Sequence, residues 1–448
     1  MDDKLIGTIF QRLWERLKTY PEEDGNNSVE LSIRLEDRKE LETEVPTTSI
    51  TLSKDELLKY IKENVESVVL DDKDIFVSKD KKIIEVPIYI SSIGSSFRPL
   101  LSYRIINEDY KHDSKNKLEY KISSLSLGAS IQLLLKEKSE YSKLLIRRMF
   151  RPSSYRDYSV DDKDLFYNEI KLKRKVLAKI TSQKGHLYVI RIKNDDLKNI
   201  DFYKNYVNSL IFNMNLMNYR GCSFRIVDNL SDYVKGQSRA IHHFKNNVEP
   251  PKLHYLKRLT DLYAAGSWTD NPFTAFINYY QIIEYFFNEI PDNRLFEMVQ
   301  SEITSPLFSY DNKEDVIKLA KEIYEVRQND MNELHSLKIV LDHFLDIDML
   351  KELLDEKIIK IYNKEIPAFI FGNKNSICFN INSFNDNWDE NIDKLARRIY
   401  SIRNALVHNK DNSQNNYNPQ YHYKSLIKEV PLIRAIASSI IIKSGSPF

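Results

Sequence analysis

The sequence predicts an α+β N-terminal region followed by an all-α C-terminal region. The clear runs of alternating apolar residues, typical of strands, lie in the first half of the 448-residue chain. Apolar residues at steps of three and four, typical of helices, dominate after residue 250. Between them, the polar stretch 246–251 ends in Pro250-Pro251, which interrupts helix and favours extended chain. We therefore expect α+β parts at 1–125 and 126–245 and a helical domain at 255–448.

The elements of residues 1–125 follow from their apolar spacing. An opening helix is predicted by Ile6, Phe10, Leu13 and Leu17, and a second helix by the capping box that Ser53 and Glu56 form. Alternation predicts strands of an antiparallel sheet at 29–35, 84–90 and 118–122. Because proline cannot donate to a strand ladder, Pro87 favours an edge position for the second of these strands.

Residues 126–245 alternate between helical and extended patterns. Helices are predicted from 126 to about 150 and from 203 to 217, with strands at 187–192 and 224–227. Lysine and arginine residues interleave with aromatic residues between 136 and 179, which would suit a surface that guides RNA. Acidic residues such as Glu137 and Glu140 dilute this charge, so a solvated face is the other interpretation.

The C-terminal domain is predicted to be helical almost throughout. Helical stripes cover 276–287, 316–323 and 426–440, and a weaker pattern favours a small hairpin at 369–371 and 377–379. The longest stripe recurs at steps of four and three on one helix face, formed by Trp388, Ile392, Leu395, Ile399, Ile402 and Leu406.

The composition excludes several classes of function. The net charge of +1 gives no global basic field, so a nucleic-acid site must be local. The chain has only 10 glycines and no glycine-rich phosphate loop, and its two cysteines fit no metal spacing, so we expect neither cofactor nor metal. No apolar run reaches membrane-spanning length and the N-terminus lacks a signal peptide, so no membrane association and a cytoplasmic location are expected.

The end of the long helix carries an arginine and a histidine five positions apart. Arg403 flanks the apolar stripe, while Arg397, Asn404 and His408 lie on the opposite face. On an ideal helix Arg403 and His408 point about 140° apart. They converge on one phosphate only if Arg403 reaches round, if the helix frays at His408, or if a second helix packs beside it. Otherwise the pair is an ordinary exposed one, with His408 acting as a helix cap.

Two segments resemble HEPN ribonuclease domains. Residues 399–408, with Arg403, Asn404 and His408, resemble the R-x4-6-H signature helix of that family. Residues 271–287 resemble the early HEPN helix that packs against the signature helix. The resemblance covers roughly residues 255–443, and the chain lacks the H-x-Y extension after His408 that some members carry.

The resemblance implies a metal-independent endoribonuclease of bacterial phage defence or abortive infection, with the domain order of ApeA-like proteins. His408 would move the proton and Arg403 would stabilise charge on the scissile phosphate. Asn404 would hydrogen-bond His408 or phosphate, and Glu284 would orient the Arg/His pair. Arg397 and Tyr400 are candidate RNA contacts. The implied partners are RNA, a second copy bound through the C-terminal domain, and a phage protein that triggers the N-terminal region.

Two alternatives do not involve catalysis. The helical domain can be a HEPN-like module for dimerisation or RNA binding with an inert Arg/His pair, or it can be a plain helical scaffold. Sensitivity of activity to His408 separates the first alternative from an enzyme. Dimerisation through the signature helix distinguishes the plain helical scaffold from the enzyme and from the inert HEPN-like module.

Overall fold

The computed structural model divides the chain into two compact units. It describes residues 3–17, 27–35, 47–92, 110–136, 158–160, 168–181, 187–196, 198–217, 222–227, 230, 249–330, 332–371, 373–407 and 417–448. The N-terminal unit comprises the described residues of Met1–Ser92, Arg98–Val207 and Phe224–Pro250. The C-terminal unit is formed mainly by Asn208–Ser223 and Pro251–Phe448.

The N-terminal unit mixes helices with sheet, as the sequence predicts. Its helices are α1 (Asp3–Leu17), α2 (Lys54–Glu66), α3 (Leu127–Lys136), α4 (Glu169–Thr181) and the first part of α5 (Ile200–Met217). Its strands are β1 (Ser28–Leu35), β2 (Thr47–Ser53), β3 (Val68–Leu70), β4 (Phe76–Ser78), β5 (Ile83–Ser92), β6 (Lys111–Asp113), β7 (Leu118–Ser124), β8 (Tyr158–Val160), β9 (Tyr188–Asn194) and β10 (Cys222–Ile226).

The predicted capping box at the start of α2 is confirmed. The Ser53 hydroxyl accepts from the Glu56 backbone N–H at 3.1 Å, and the Glu56 carboxylate accepts from the Ser53 N–H at 2.8 Å. Two N–H groups that the first helical turn leaves unpaired are thereby satisfied. The helix then buries Leu57, Ile61 and Val65 on one face, at the spacing that predicted it.

The strands form two sheets. A three-stranded sheet has the order β2-β1-β8, and a seven-stranded sheet has the order β3-β4-β5-β9-β7-β6, with β10 also paired to β5. In the second sheet β9 lies between β5 and β7. This sheet therefore contains strands from both sides of the predicted boundary at 125/126. The two predicted N-terminal parts therefore share one compact unit.

The predicted edge position of β5 is wrong. This strand pairs with β4 and β9, and Pro87 lies opposite Val189 within the ladder. Proline lacks only the donor, and the Pro87 carbonyl still accepts from the Val227 N–H at 3.1 Å. An interior strand can hold a proline where its missing N–H is not required.

The C-terminal unit is mainly helical. After the last part of α5 come α6 (Lys257–Trp268), α7 (Pro272–Glu284), α8 (Glu289–Ile303), α9 (Lys313–Asp330), α10 (Glu333–Phe344), α11 (Ile347–Leu353), α12 (Glu356–Lys364), α13 (Trp388–Val407), α14 (Pro419–Leu426) and α15 (Val430–Lys443). Two short strands, β11 (Leu253–His254) and β12 (Ser446–Pro447), pair antiparallel near the C-terminus.

One apolar core holds this unit together. Helix α7 packs on α6 and α15, and α10 packs along α13. Fully buried side chains of this core, on α5, α6, α7, α10, α13 and α15, include Phe212, Leu259, Ile283, Val340, Leu395, Ile399 and Ile436. The second half of α5 contributes Phe212, so the unit begins before the polar stretch 246–251 that predicted its boundary.

Two smaller expectations for this unit are wrong. Phe369 and Phe379 do not belong to a hairpin, because a 3-10 turn, Lys374–Ser376, lies between their segments and neither segment is a strand. The predicted last helix is two helices, α14 and α15. The Glu429 N–H bonds to Leu426 O in a turn, and Pro431 stands in the first turn of α15, a position that proline favours.

Candidate functional site

The long helix α13 is observed with the predicted buried stripe. Ile392, Leu395, Ile399, Ile402 and Leu406 are all buried, while Trp388 is partly buried against the core. The helix ends at Val407, so His408 follows it directly and lies, with residues 409–416, outside the described residues. Beyond that gap, the Tyr417 N–H donates to Ala405 O at 3.3 Å. The chain therefore returns to the last turn of α13 nine residues after leaving it.

Arg403 is held in the last turn of α13 by three neighbouring groups. Its Nε lies 3.3 Å from Glu333 Oε1, and its Nη1 donates to Asn404 Oδ1 at 3.2 Å. Its guanidinium carbon lies 5.8 Å from the ring centroid of Tyr280, within cation–π range. The side chain remains 18% exposed. Arg403 is thus oriented by α7, α10 and its own helix while part of it still reaches solvent.

Tyr280 and Glu333 form the base of this arrangement. The Tyr280 hydroxyl donates to Glu333 Oε1 at 2.8 Å, the same oxygen that contacts Arg403. Burial raises the pKa of Tyr280, and the hydrogen bond to Glu333 raises it further, so the phenol stays protonated and remains a donor. Glu333 is the first residue of α10, where the helix dipole favours a negative charge.

The carboxylate in contact with Arg403 is Glu333, not the expected Glu284. Glu284 is exposed at the end of α7, one turn beyond Tyr280, and lines a surface cavity of about 880 Å³ with Lys257, Arg258 and Tyr285 among others. The expectation placed an acidic residue of the early helix beside the pair. The structure assigns that position to α10, which is also the helix that packs along α13.

Arg397 and Tyr400 occupy different environments on α13. Arg397 is exposed, and its Nε donates to Asp393 at 2.5 Å one turn earlier, where Lys338 of α10 also contacts the same carboxyl group. Burial alone would raise the pKa of Asp393, but hydrogen bonds from Arg397 and Lys338 lower it below its ordinary value. Tyr400 is half-buried and packs against the core.

The third arginine of this helix, Arg398, forms a buried ion pair that the sequence does not predict. Arg398 is buried, and its guanidinium makes two hydrogen bonds to Glu429, of 2.8 Å from Nε and 2.7 Å from Nη2, while Nη1 donates to Glu365 O at 3.0 Å. Burial would lower the pKa of Arg398, but the paired carboxylate raises it above its ordinary value. This group ties α13 to the segment before α15 and faces away from solvent.

Sequence reasoning missed Glu333, Tyr280 as a polar contact, and the pair Arg398–Glu429. A weak signal existed for Glu333, because Asn332 caps α10 and an acidic residue is favoured in the turn that follows. Nothing in the spacing of residues 333 and 403 indicates that they meet. For Arg398 the spacing gave no signal, because adjacent helix residues point about 100° apart and residue 398 lies outside the stripe that contains Ile399.

Among the residues that the structure describes, no group of three or more His, Cys, Asp or Glu side chains is placed to hold a metal ion. The sequence has one pair of adjacent histidines, His242-His243, and it lies outside these residues. No helix in the described part of the chain combines the length and the apolar character needed to cross a membrane.

Comparison with known protein families, curated proteins and solved structures finds no match to this chain.

Proposed function

We propose that the C-terminal unit is a HEPN-like ribonuclease. It cleaves RNA by promoting attack of the RNA's own ribose 2′-OH on the neighbouring phosphate. The observation that carries this proposal is the orientation of Arg403, which Glu333, Tyr280 and Asn404 hold at the end of α13, five residues before His408 in the sequence. An anchored, partly exposed guanidinium at this position suits a phosphate ligand, because it can offer planar donors and a fixed charge.

The proposed reaction needs a proton acceptor, a proton donor and stabilisation of charge. His408 removes the proton of the 2′-OH as that oxygen attacks the neighbouring phosphorus, or protonates the 5′ oxygen as its bond to phosphorus breaks. Arg403 stabilises the negative charge that builds on the phosphate oxygens. The products are a 2′,3′-cyclic phosphate and a free 5′-OH.

The remaining residues have supporting roles in this proposal. Glu333 and Tyr280 position Arg403, and Asn404 bonds to it from the same helix turn. Tyr400 and Arg397 lie about one and two turns before Arg403 on α13, where they would contact the RNA chain beyond the cleaved bond. Glu284 is proposed only as a more distant acidic residue, since it lies at the far end of α7.

The biological role that we propose is that of a toxic effector in bacterial phage defence. The N-terminal unit would respond to a phage protein in the cytoplasm and control cleavage by the C-terminal unit. This part of the proposal depends on the resemblance of residues 271–287 and 399–408 to HEPN segments.

A second candidate function is a HEPN-like module without catalysis. The ion pair between Arg403 and Glu333 favours it, since this pair with Tyr280 also links α7, α10 and α13. In that case Arg403 would stabilise the bundle and RNA would remain intact.

Substitution of the two central residues tests the proposal. In the full chain, Arg403→Ala and His408→Ala should each abolish cleavage of a labelled RNA, while Arg294→Ala and His343→Ala, exposed on α8 and α10, should leave it unchanged. Each variant is checked for folding by circular dichroism. Wild-type cleavage rates in folded Arg403→Ala and His408→Ala proteins would show that these residues are not catalytic.

The same assay distinguishes this chemistry from a metal nuclease. Cleavage should persist in EDTA, and the substrate should become resistant when the 2′ oxygen at the cut site carries a methyl group. Activity that EDTA removes and Mg²⁺ or Mn²⁺ restores would assign the reaction to a bound metal instead.

The site is also proposed to lie between two copies of the chain. Arg403 and His408 point about 140° apart along one ideal helix, so two helices related by a two-fold axis would complete one phosphate site. Light scattering on the full chain should then give the mass of a dimer. A strictly monomeric protein that cleaves RNA at nanomolar concentration would rule out the shared site.

A further inference from the structure

Helices α8 and α9 form a hairpin with little buried surface. In α8 only Ile290 and Pro291 are buried, and in α9 none of the residues 313–325 is buried. Both helices nevertheless carry apolar residues at helical spacing. Helices in proteins are stabilised mainly by packing such a face, and isolated helices of this length are only marginally stable. The hairpin therefore presents apolar side chains that stay exposed among the described residues of its unit.

The exposed apolar side chains of this hairpin are large and numerous. We call them the hairpin face: Phe296, Ile303, Leu307, Tyr310, Val316, Ile317 and Tyr324. Leu307 is 90% exposed and Tyr310 is 82% exposed. At roughly 100 Å² each, these side chains together expose about 700 Å², which is close to one side of a standard protein interface.

The charge around the hairpin face limits what can cover it. Residues 289–325 contain nine acidic and four basic residues, a net charge of −5, in a chain whose total charge is +1. Two of the four basic residues are already engaged, Arg294 with Asp342 and Lys318 with Glu302 and Glu322. An acidic surface repels RNA and anionic membranes, and it would repel a second copy of itself. A cationic partner is the one that this charge favours.

We propose that the hairpin face is a docking site for an amphipathic helix of another protein, with an apolar stripe flanked by lysine and arginine. A helix is the natural occupant, because apolar side chains spaced along α8 and α9 match anchors spaced along a third helix. A hollow on α9, lined by Ile317, Ala320 and Tyr324 together with Lys321 and Glu325, receives one apolar anchor. The acidic residues around the hairpin face form ion pairs with the lysine and arginine residues that flank the apolar stripe of the docked helix.

Binding of designed peptides to the full chain tests this site. The probe is a fluorescent helical peptide of about five turns with a leucine stripe and lysine flanks. Its control has the same leucine stripe and glutamate flanks. Fluorescence anisotropy should show saturable binding of the basic peptide, with the acidic peptide at least about tenfold weaker. Equal binding of the two peptides would overturn the proposal, because the apolar stripe alone would then account for it.

Matched substitutions locate the binding. Ile317→Asp should weaken the basic peptide at least about tenfold, whereas Ile427→Asp, a control isoleucine of almost the same exposure (44% against 43%), should not. Leu307→Asp, in the connection between α8 and α9, is the second variant if Ile317→Asp unfolds the hairpin. Binding that none of these variants alters would place the peptide elsewhere. Self-association that Ile317→Asp abolishes would identify a second copy, not a cationic helix, as the occupant.

Discussion

Two arginines on α13 show how one helix can hold the same side chain for different purposes. Arg398 is completely buried, and Glu429 and Glu365 O accept hydrogen bonds from all three of its guanidinium nitrogens. Arg403, little more than one turn later, contacts Glu333 and Tyr280 but keeps part of its surface in solvent. The difference arises from tertiary packing, because Arg398 meets Glu429 and Glu365 O inside the core, whereas Arg403 lies in the last turn of α13, where α7 and α10 leave part of it exposed. Only the second arginine can meet an external phosphate.

The largest expected effect comes from breaking the buried pair. Glu429→Ala leaves the Arg398 charge without its partner in the core, which should lower the free energy of unfolding by about 3–5 kcal/mol. Urea denaturation of the full chain measures this loss. The control is Glu365→Ala, which removes the exposed ion pair with Lys428 and should cost less than about 1 kcal/mol. Equal losses for the two variants would contradict the assignment of Arg398 to the core.

An intermediate effect is expected from the group that holds Arg403. Glu333→Gln removes the charge that Arg403 and Tyr280 share, and should lower the free energy of unfolding by about 1–2 kcal/mol. Glu356→Gln is a matched control, because Glu356 is also the first residue of its helix, α12, but is exposed. Tyr280→Phe combined with Glu333→Gln should show a coupling energy above about 0.5 kcal/mol.

The same variants distinguish two roles of Glu333: positioning Arg403 for catalysis, and stabilising the fold only. If Glu333 positions Arg403 for catalysis, Glu333→Gln should reduce kcat for RNA cleavage in protein that is still folded, and Glu333→Asp should restore part of it. Tyr280→Phe should have a smaller effect on kcat, since the cation–π contact remains. A folded Glu333→Gln protein with unchanged kcat would restrict Glu333 to a structural role.

The sequence predicts the helices of this site better than it predicts their contacts. The spacing of Ile392, Leu395, Ile399 and Ile402 defined the buried face of α13 correctly, because local periodicity determines which side meets a core. The expectation that Glu284 orients the Arg/His pair rests on a resemblance between sequence segments, and the carboxylate that contacts Arg403 is Glu333. The contact between residues 333 and 403 is set by tertiary packing of α10 on α13, which no local pattern encodes.

The same distinction applies to the N-terminal unit. Alternation located β1, β5 and β7, and the pattern Ser53 to Glu56 defined the start of α2. The sequence did not indicate that β9 pairs between β5 and β7, because strand order depends on contacts between segments separated by about 70 to 100 residues. The expected edge position of Pro87 failed for the same reason.

The smallest expected effect concerns Asp393, which Arg397 and Lys338 contact on the exposed side of α13. Asp393→Asn should lower the free energy of unfolding at pH 7 by less than about 1 kcal/mol, because the pair is largely solvated. The pKa of Asp393 is lowered in the folded protein, so its contribution is present above the ordinary carboxyl pKa of about 4 and is lost as the pH falls through the folded value. The stability difference between wild type and Asp393→Asn should therefore narrow as pH falls towards 4 and below.

The substitution Asp393→Asn also tests whether Arg397, the exposed arginine of α13, contacts RNA. If Arg397 contacts RNA, removing the competing charge of Asp393 should strengthen RNA binding, while Arg397→Ala should weaken it and reduce its dependence on salt. Glu390→Gln, which removes a similar exposed pair with Lys394 a turn earlier, is the control and should change neither. Binding is measured by anisotropy with the uncleavable 2′-O-methyl RNA. Unchanged affinity in both Asp393→Asn and Arg397→Ala would limit the RNA contact on α13 to its last turn, around Arg403.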